Sequence, residues 1–180
     1  MERVRQLIGE MLVCFFAVLL LTGGFLAFFH VPSDEMVPYS GSYEPLRGTL
    51  MSDAYASALN ISLDVRGGLL IRQLHHTSSI LLVAGTILWL LLGRFRYALV
   101  ALGLGALAAL SGYGAVDDLL SGAVLGKVPV PLWYGLHLLT VLAVGAVLVV
   151  SSRKEAARRP RTPALIALSI GLAVLAVLSF

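Results

Sequence analysis

Five long stretches of this chain contain little or no charge, and this feature most strongly limits what the chain can fold into. Four of them cover about residues 7–29, 69–93, 97–116 and 128–150, and a fifth covers 163–180. About 20 consecutive apolar residues cross a bilayer as an α-helix, in which every backbone polar group is bonded internally. The sequence therefore predicts an all-α integral membrane protein with five transmembrane helices.

The composition agrees with a membrane protein, because 58% of the residues are hydrophobic and the mean hydropathy is +0.91. Ordinary soluble domains have about 45–50% apolar residues. A cleaved signal peptide is the alternative for the first stretch. Its apolar core is too long for one, and "TGGFLAFFH" has no clean small-x-small cleavage site.

The charges alternate between the two sides of the predicted helices. Loops that precede the first helix, join the second to the third and join the fourth to the fifth are basic, whereas the other two loops are acidic. The positive-inside rule then predicts a cytoplasmic N-terminus and an external C-terminus. The basic residues are thus a topology signal, and we expect no nucleic-acid partner. They are Arg3, Arg5, Arg94, Arg96, Arg153, Lys154, Arg158, Arg159 and Arg161, and the acids are Asp34, Glu35, Glu44, Asp53, Asp64, Asp117 and Asp118.

The longest polar segment covers residues 31–68 and is predicted to be an external loop. Its first half is rich in Pro, Gly and Ser, which favours turns. In its second half Leu50, Ala54, Leu59 and Leu63 are spaced to line one side of a short surface helix. The single cysteine, Cys14, lies in the first helix, where packing is its expected role, and no CxxCH motif for covalent haem attachment is present.

Two histidines lie at the same depth in parallel predicted helices. His75 and His137 each come six residues after the external end of their helix, or roughly 9 Å into the membrane. Gly23 and Gly112 lie at a similar depth in the first and third helices. Two imidazoles can bind one haem iron axially, and glycines would let the flat macrocycle approach the other two helices. The alternative is that each histidine only bonds to a neighbouring helix.

Arg72 distinguishes His75 from its neighbour His76. Adjacent residues on a helix point about 100° apart, so only one of the two histidines can face the iron. Arg72 lies one turn outward of His75 on the same face, where its guanidinium could pair with a haem propionate. We therefore assign His75 as the ligand and expect His76 to face the external polar layer or a partner.

Four segments of the sequence carry a resemblance to a known family. They read "LLLTGGFLAFF", "YASALNISLDVRGGLLIRQLHH", "SGYGAVDDLLSG" and "WYGLHLL". In order and topology, residues 5–152 resemble the N-terminal half of cytochrome b of quinol–cytochrome c reductases, especially the actinobacterial type. The resemblance implies a four-helix bundle with haem b between helices 1 to 4, which works in quinol-linked electron transfer in the bacterial plasma membrane. The apolar stretch 163–180 adds one C-terminal transmembrane helix.

Members of this family hold two haems, an outer one and an inner one, and the chain departs from the family at the inner haem. Each ligand helix of the family carries two histidines about 14 residues apart, and here the second positions are Trp89 and Ser151. The matching glycine of the third helix would fall at Ala98, whereas Gly9 still occupies its position in the first helix. Neither Trp nor Ser is an ordinary haem ligand, so the chain is predicted to be a one-haem relative in which Trp89 fills some of the inner volume.

A second departure concerns quinol chemistry. The family's outer quinol site also uses a Pro-Glu-Trp-Tyr motif, and the chain has no such motif. Asp117 and Asp118 are the acids near the outer end that could move a proton, but a solvated turn or a helix N-cap pair before "LLSG" is the favoured explanation. We therefore assign no catalytic residue.

These observations divide the chain into a haem-binding bundle at 1–152, a basic cytoplasmic loop at 153–162 and a fifth transmembrane helix at 163–180. The expected function is electron transfer by one bis-histidine haem b held by His75 and His137, with Arg72, Gly23 and Gly112 around it. Expected partners are other subunits of a respiratory complex, namely a cytochrome c or iron–sulfur redox protein, and quinol at a shared interface. The alternatives are an accessory or assembly subunit with a structural haem, and a haem-free transporter or receptor.

Overall fold

The computed structural model describes residues 2–93, 95–125 and 127–179. Within these ranges, only the backbone is described for Phe95, Leu119 and Leu120. Arg94, one of the basic residues in the predicted topology signal, and Phe180, the predicted end of the fifth helix, lie outside the described residues. The described residues form seven α-helices and a two-stranded sheet, so the chain is an all-α membrane protein. The helices are α1 Glu2–Phe29, α2 Asp53–Leu63, α3 Gly68–Leu91, α4 Phe95–Val116, α5 Leu119–Leu125, α6 Val130–Arg158 and α7 Pro163–Ser179, and the strands are β1 Met36–Pro38 and β2 Leu50–Ser52.

Four of the described helices are long and apolar enough to cross a membrane. They are α1, α3, α6 and the Arg96–Val116 part of α4. The apolar helix α7 is shorter, at 17 residues. At 1.5 Å per residue it is about 26 Å long, slightly less than the hydrocarbon core of about 30 Å.

Two helices extend beyond the apolar stretches that predicted them. The first, α1, begins at Glu2 and includes Arg3 and Arg5. The other, α6, continues to Arg158 through "SSRKEAAR", so residues 153–158, which the sequence analysis placed in a loop, are helical. The hydropathy pattern marks where charge begins, but Lys, Glu, Ala and Arg are good helix formers and continue the helix into the polar phase.

The described chain divides into two compact units. The first unit consists of the described parts of residues 1–20, 74–106 and 140–180. Its core is formed by apolar residues of α1, α3, α4, α6 and α7. Large buried side chains of this core include Leu12, Phe15, Leu82, Trp89 and Leu148.

The second unit consists of the described parts of residues 21–73 and 107–139. Between α1 and α3 the strands β1 and β2 pair antiparallel, with Met36 opposite Ser52, and Tyr39 is buried beside them. The hydroxyl of Ser52 caps α2 by accepting a hydrogen bond from the backbone N–H of Tyr55.

The predicted surface helix is present as α2, but its buried face differs from the prediction. Ala54, Ala58 and Ile61 are buried, whereas Leu63 is exposed and Leu50 lies in β2. Four of the five buried residues of α2 are therefore small, which allows close approach of the neighbouring backbone. The predicted face is correct in part, because Ala54 is buried and Leu59 is half-buried against the Tyr39 cluster.

Candidate functional site

The two predicted ligands occupy equivalent places in their helices. His75 comes seven residues after Gly68, the first residue of α3, and His137 comes seven residues after Val130, the first residue of α6. Both side chains are half-buried, whereas His76 is exposed. His75 belongs to the first unit and His137 to the second, so the joint binding of one iron by these two histidines stays a prediction.

His137 is held by the backbone of α4. Its Nδ1 atom lies 2.8 Å from the carbonyl oxygen of Ala108. A carbonyl oxygen only accepts hydrogen bonds, so Nδ1 carries the proton and Nε2 carries the lone pair. This is the tautomer that can bind a metal through Nε2, and a backbone carbonyl on the other nitrogen is the usual support for a ligating histidine.

Gly112 makes room for the His137 ring. A Cβ atom at position 112 would lie 2.8 Å from Nδ1 and 2.9 Å from Cε1 of that ring. From the sequence, this glycine was expected to let the haem macrocycle approach the helix. In the structure it lets the imidazole of His137 approach. Gly112 therefore forms part of the α4 surface against which the His137 ring packs.

Ser111 and Gly114 also take part in the packing between α4 and α6, and neither was predicted from the sequence. The buried hydroxyl of Ser111 donates to the carbonyl oxygens of Leu107 and Ala108, so the Ala108 oxygen accepts from Ser111 as well as from His137. At Gly114 a Cβ atom would lie 2.8 Å from the Trp133 ring. The small residues of "SGYG" were the signal that could have identified this close packing.

Arg72 contacts α2. Its guanidinium donates to the hydroxyl of Ser62 at 2.7 Å and to the carbonyl oxygen of Ala58 at 3.5 Å. A guanidinium has five N–H donors, so these two contacts still allow a propionate as a further acceptor. The predicted propionate pairing of Arg72 stays a prediction, and so does the role of Gly23, which lies half-buried on α1.

His30, directly after the end of α1, is a third half-buried histidine that the sequence analysis did not consider. Its Nδ1 atom lies 3.1 Å from the hydroxyl oxygen of Ser57, and its ring packs against Tyr134 with a centroid separation of 5.6 Å. Burial lowers the pKa of this imidazole below 6.5. Its position directly after the apolar stretch 7–29 was the sequence feature that could have identified His30 as a candidate site residue.

The two acids after α4 have structural roles. The carboxylate of Asp118 accepts a hydrogen bond of 2.8 Å from the backbone N–H of Ser121, so it caps the N-terminus of α5. Asp117 has a φ of 52° and forms the turn before that helix. These observations support the interpretation as a turn and an N-cap.

The inner position consists of Gly9, Trp89, Ala98 and Ser151, all in the first unit. Trp89 is only 3% exposed, and a Cβ atom at Gly9 would lie 3.5 Å from the Trp89 ring. Ala98 and Ser151 are buried, and the hydroxyl of Ser151 has no hydrogen-bond partner among the described residues. The cleft beside them measures about 10 Å³, which is room for roughly one water molecule.

Ion pairs surround this inner cleft within the first unit. Arg5 pairs with Glu155 at 3.0 Å, and Arg161 pairs with Glu10 at 2.8 Å. Gln6 is 1% exposed and donates to the carbonyl oxygen of Arg159. The basic residues that follow α6 are therefore bound to the start of α1.

The comparison with curated proteins identifies relatives over most of the chain. The cytochrome b subunit of the cytochrome bc1 complex of Streptomyces coelicolor is 43% identical over 128 residues, which are 64% of this chain and 24% of that protein. The same subunit of Corynebacterium efficiens is 37% identical over 151 residues, which are 77% of this chain and 26% of that protein. The subunit of Corynebacterium diphtheriae is 41% identical over 131 residues, or 66% of this chain and 24% of that protein.

The chain is a cytochrome b homologue. It spans about a quarter of the length of these curated relatives. No family model matches the chain. The resemblance predicted from "RGGLLIRQLHH" and "WYGLHLL" is thus confirmed, and the relatives are subunits of respiratory complexes in actinobacteria.

Proposed function

We propose that this chain is a membrane-bound mono-haem b-type cytochrome that carries electrons in a quinol-linked respiratory complex. One observation supports this function most directly: His137, in a cytochrome b homologue, is held by the Ala108 carbonyl in the tautomer that binds iron. His75 occupies the equivalent place in α3. A haem with two axial histidines needs only two protein ligands, so it does not require a cluster of three or more metal-binding side chains.

The residues proposed for the outer position, namely His75, His137, Arg72 and Gly112, have the chemistry that a bis-histidine haem b needs. The haem, when bound, supplies one-electron exchange between Fe(III) and Fe(II). His137 and His75 would hold the iron through their imidazoles, and Ala108 and Gly112 fix the His137 ring against α4. Arg72 would hold a propionate with the donors that Ser62 and Ala58 do not use.

The inner position supports one haem rather than two. Trp89 covers Gly9, Ser151 offers a hydroxyl in place of an imidazole, and the cleft beside them has room for about one water molecule. A second haem would need two further ligands at this depth. With a single haem, electrons would leave it laterally or externally, and the chain alone would not complete a transmembrane quinone cycle.

We place the N-terminus in the cytoplasm and the C-terminus outside, because this orientation puts the basic loops inside. The loop 31–68 and the segment from Asp117 to α5 are then external. These are the surfaces at which a cytochrome c or iron–sulfur partner, or quinol at a shared interface, would exchange electrons with the haem.

Reduction by quinol tests this function. Membranes that contain the chain should show the α-band of a reduced b-type haem after quinol is added together with the co-purified partner subunits. A haem that dithionite reduces but quinol does not, with or without these partners, would indicate a structural haem and contradict electron transfer. The absence of any b-type spectrum would indicate a haem-free protein.

A further inference from the structure

His30 lies in the second unit, which also contains His137. It is one of four histidines in the chain and follows α1 directly. Its ring packs against Tyr134, which precedes His137 by three residues in α6. Residues three apart on a helix are neighbours on the same face, so His30 packs one helical turn from the predicted iron ligand.

The hydrogen bonds of Ser57 determine which nitrogen of His30 carries the proton. The Ser57 hydroxyl donates its proton to the carbonyl oxygen of Ala54 at 2.9 Å and accepts from the backbone N–H of Val31 at 3.1 Å. Because that proton is used, the hydroxyl oxygen accepts from His30 as well, and Nδ1 is the donor. The lone pair of neutral His30 is therefore on Nε2, which is buried and has no hydrogen-bond partner among the described residues.

Four elements present groups to this ring. Arg72 of α3 disfavours the imidazolium, whereas the Ala115 carbonyl of α4 and Asp53 of α2 favour it, and α6 contributes Tyr134. Burial is the largest effect and lowers the pKa of His30, so the ring is neutral at neutral pH. A change in nearby charge shifts the balance between the neutral ring and the imidazolium.

We infer that His30 is a redox-linked proton site, which binds one proton at Nε2 from the external aqueous phase when the haem accepts one electron. This inference rests on the proposed haem function. The electron, supplied by quinol or by a chemical reductant, would convert Fe(III) to Fe(II), and the proton taken from the external aqueous phase would form a new N–H bond at Nε2. Reduction removes one positive charge from the haem, so the imidazolium of His30 is repelled less in the reduced protein.

Redox titrations of the purified full-length chain from about pH 5 to about pH 8 test this inference. In the wild-type protein the midpoint potential should fall as pH rises, by up to about a tenfold change in the Fe(II)/Fe(III) ratio per pH unit. His30→Gln should lose most of this slope. His76→Gln, which removes an exposed histidine of α3, should keep it.

A second measurement avoids dependence on the variants. Nuclear magnetic resonance of the wild-type chain with labelled histidine should show a higher pKa for His30 in the reduced protein than in the oxidised protein. Equal values in the two states, or an unchanged slope in His30→Gln, would contradict the inference and leave the haem function standing. A chain that binds no haem would contradict the proposed function and, with it, this inference.

Discussion

At both the outer and the inner position an aromatic ring packs against a helix glycine, but the two rings differ. At the outer position the His137 ring lies over Gly112, and at the inner position the Trp89 ring lies over Gly9. The outer ring is anchored by a hydrogen bond to the Ala108 carbonyl and offers a nitrogen lone pair, whereas the indole offers no metal ligand. A glycine facing an aromatic ring thus indicates close helix packing, and only the ring's chemistry indicates a cofactor.

The polar groups around the two positions also differ. At the outer position the contacts described for His137 and Arg72 are mainly with backbone carbonyls and hydroxyls. At the inner position Arg5 pairs with Glu155 and Arg161 with Glu10, which joins helix ends. The outer contacts orient the proposed ligand His137, whereas the inner contacts join α1 to the residues at and after the end of α6.

Removing His137 should have the largest effect. We expect His137→Ala to lose the six-coordinate low-spin spectrum and to lower haem affinity by more than tenfold, since even second-shell changes at metal sites cost about 10–100-fold. Optical spectroscopy of purified protein measures both. His76→Ala is the matched control and should retain the wild-type spectrum, while a six-coordinate haem in His137→Ala would exclude this ligand.

Truncating Trp89 should destabilise the fold without removing the haem. Trp89 is buried, and truncation of a buried tryptophan to alanine costs about 3–5 kcal/mol in soluble cores. Thermal unfolding should therefore show a large loss of stability for Trp89→Ala and a smaller one for Trp89→Phe. A haem spectrum that changes in Trp89→Ala while stability does not would place the cofactor at the inner position.

A pair of glycine substitutions compares the two positions directly. Gly112→Ala would place a Cβ atom 2.8 Å from Nδ1 of His137, so the ring must move, at a cost of about 1–3 kcal/mol and weaker haem binding. Gly9→Ala would place a Cβ atom at an ordinary contact distance of 3.5 Å from Trp89 and should leave haem binding unchanged. Equal haem affinity in both variants would show that Gly112 does not seat the ligand.

Replacing Arg72 tests the charge near the outer position. Arg72→Gln should lower the midpoint potential, because loss of a cation favours the oxidised, more positive haem. A unit charge about 10 Å from the iron, at an effective dielectric constant of about 20, contributes roughly 1.7 kcal/mol. Arg66→Gln removes an exposed arginine and should have little effect. A raised or unchanged potential in Arg72→Gln would exclude the propionate pairing.

The sequence predicted the features that depend on residue type and spacing. The membrane helices follow from the apolar stretches, and Trp89 and Ser151 could be recognised because each comes 14 residues after a histidine. Features that depend on distant contacts were not predictable. His30 is held by Ser57, which is 27 residues away, and the tautomer of His137 depends on Ala108, which is 29 residues away. The end of α6 was missed because hydropathy marks the membrane boundary and not the end of the helix.

The ratio of haem to protein tests the central claim most directly. Pyridine haemochrome absorbance, divided by the protein concentration from amino-acid analysis, should give about one haem b per chain, and electron paramagnetic resonance of the oxidised protein should show a single low-spin ferric species. A ratio near two, or two low-spin species, would contradict the account, because the inner position described here has no second pair of histidines.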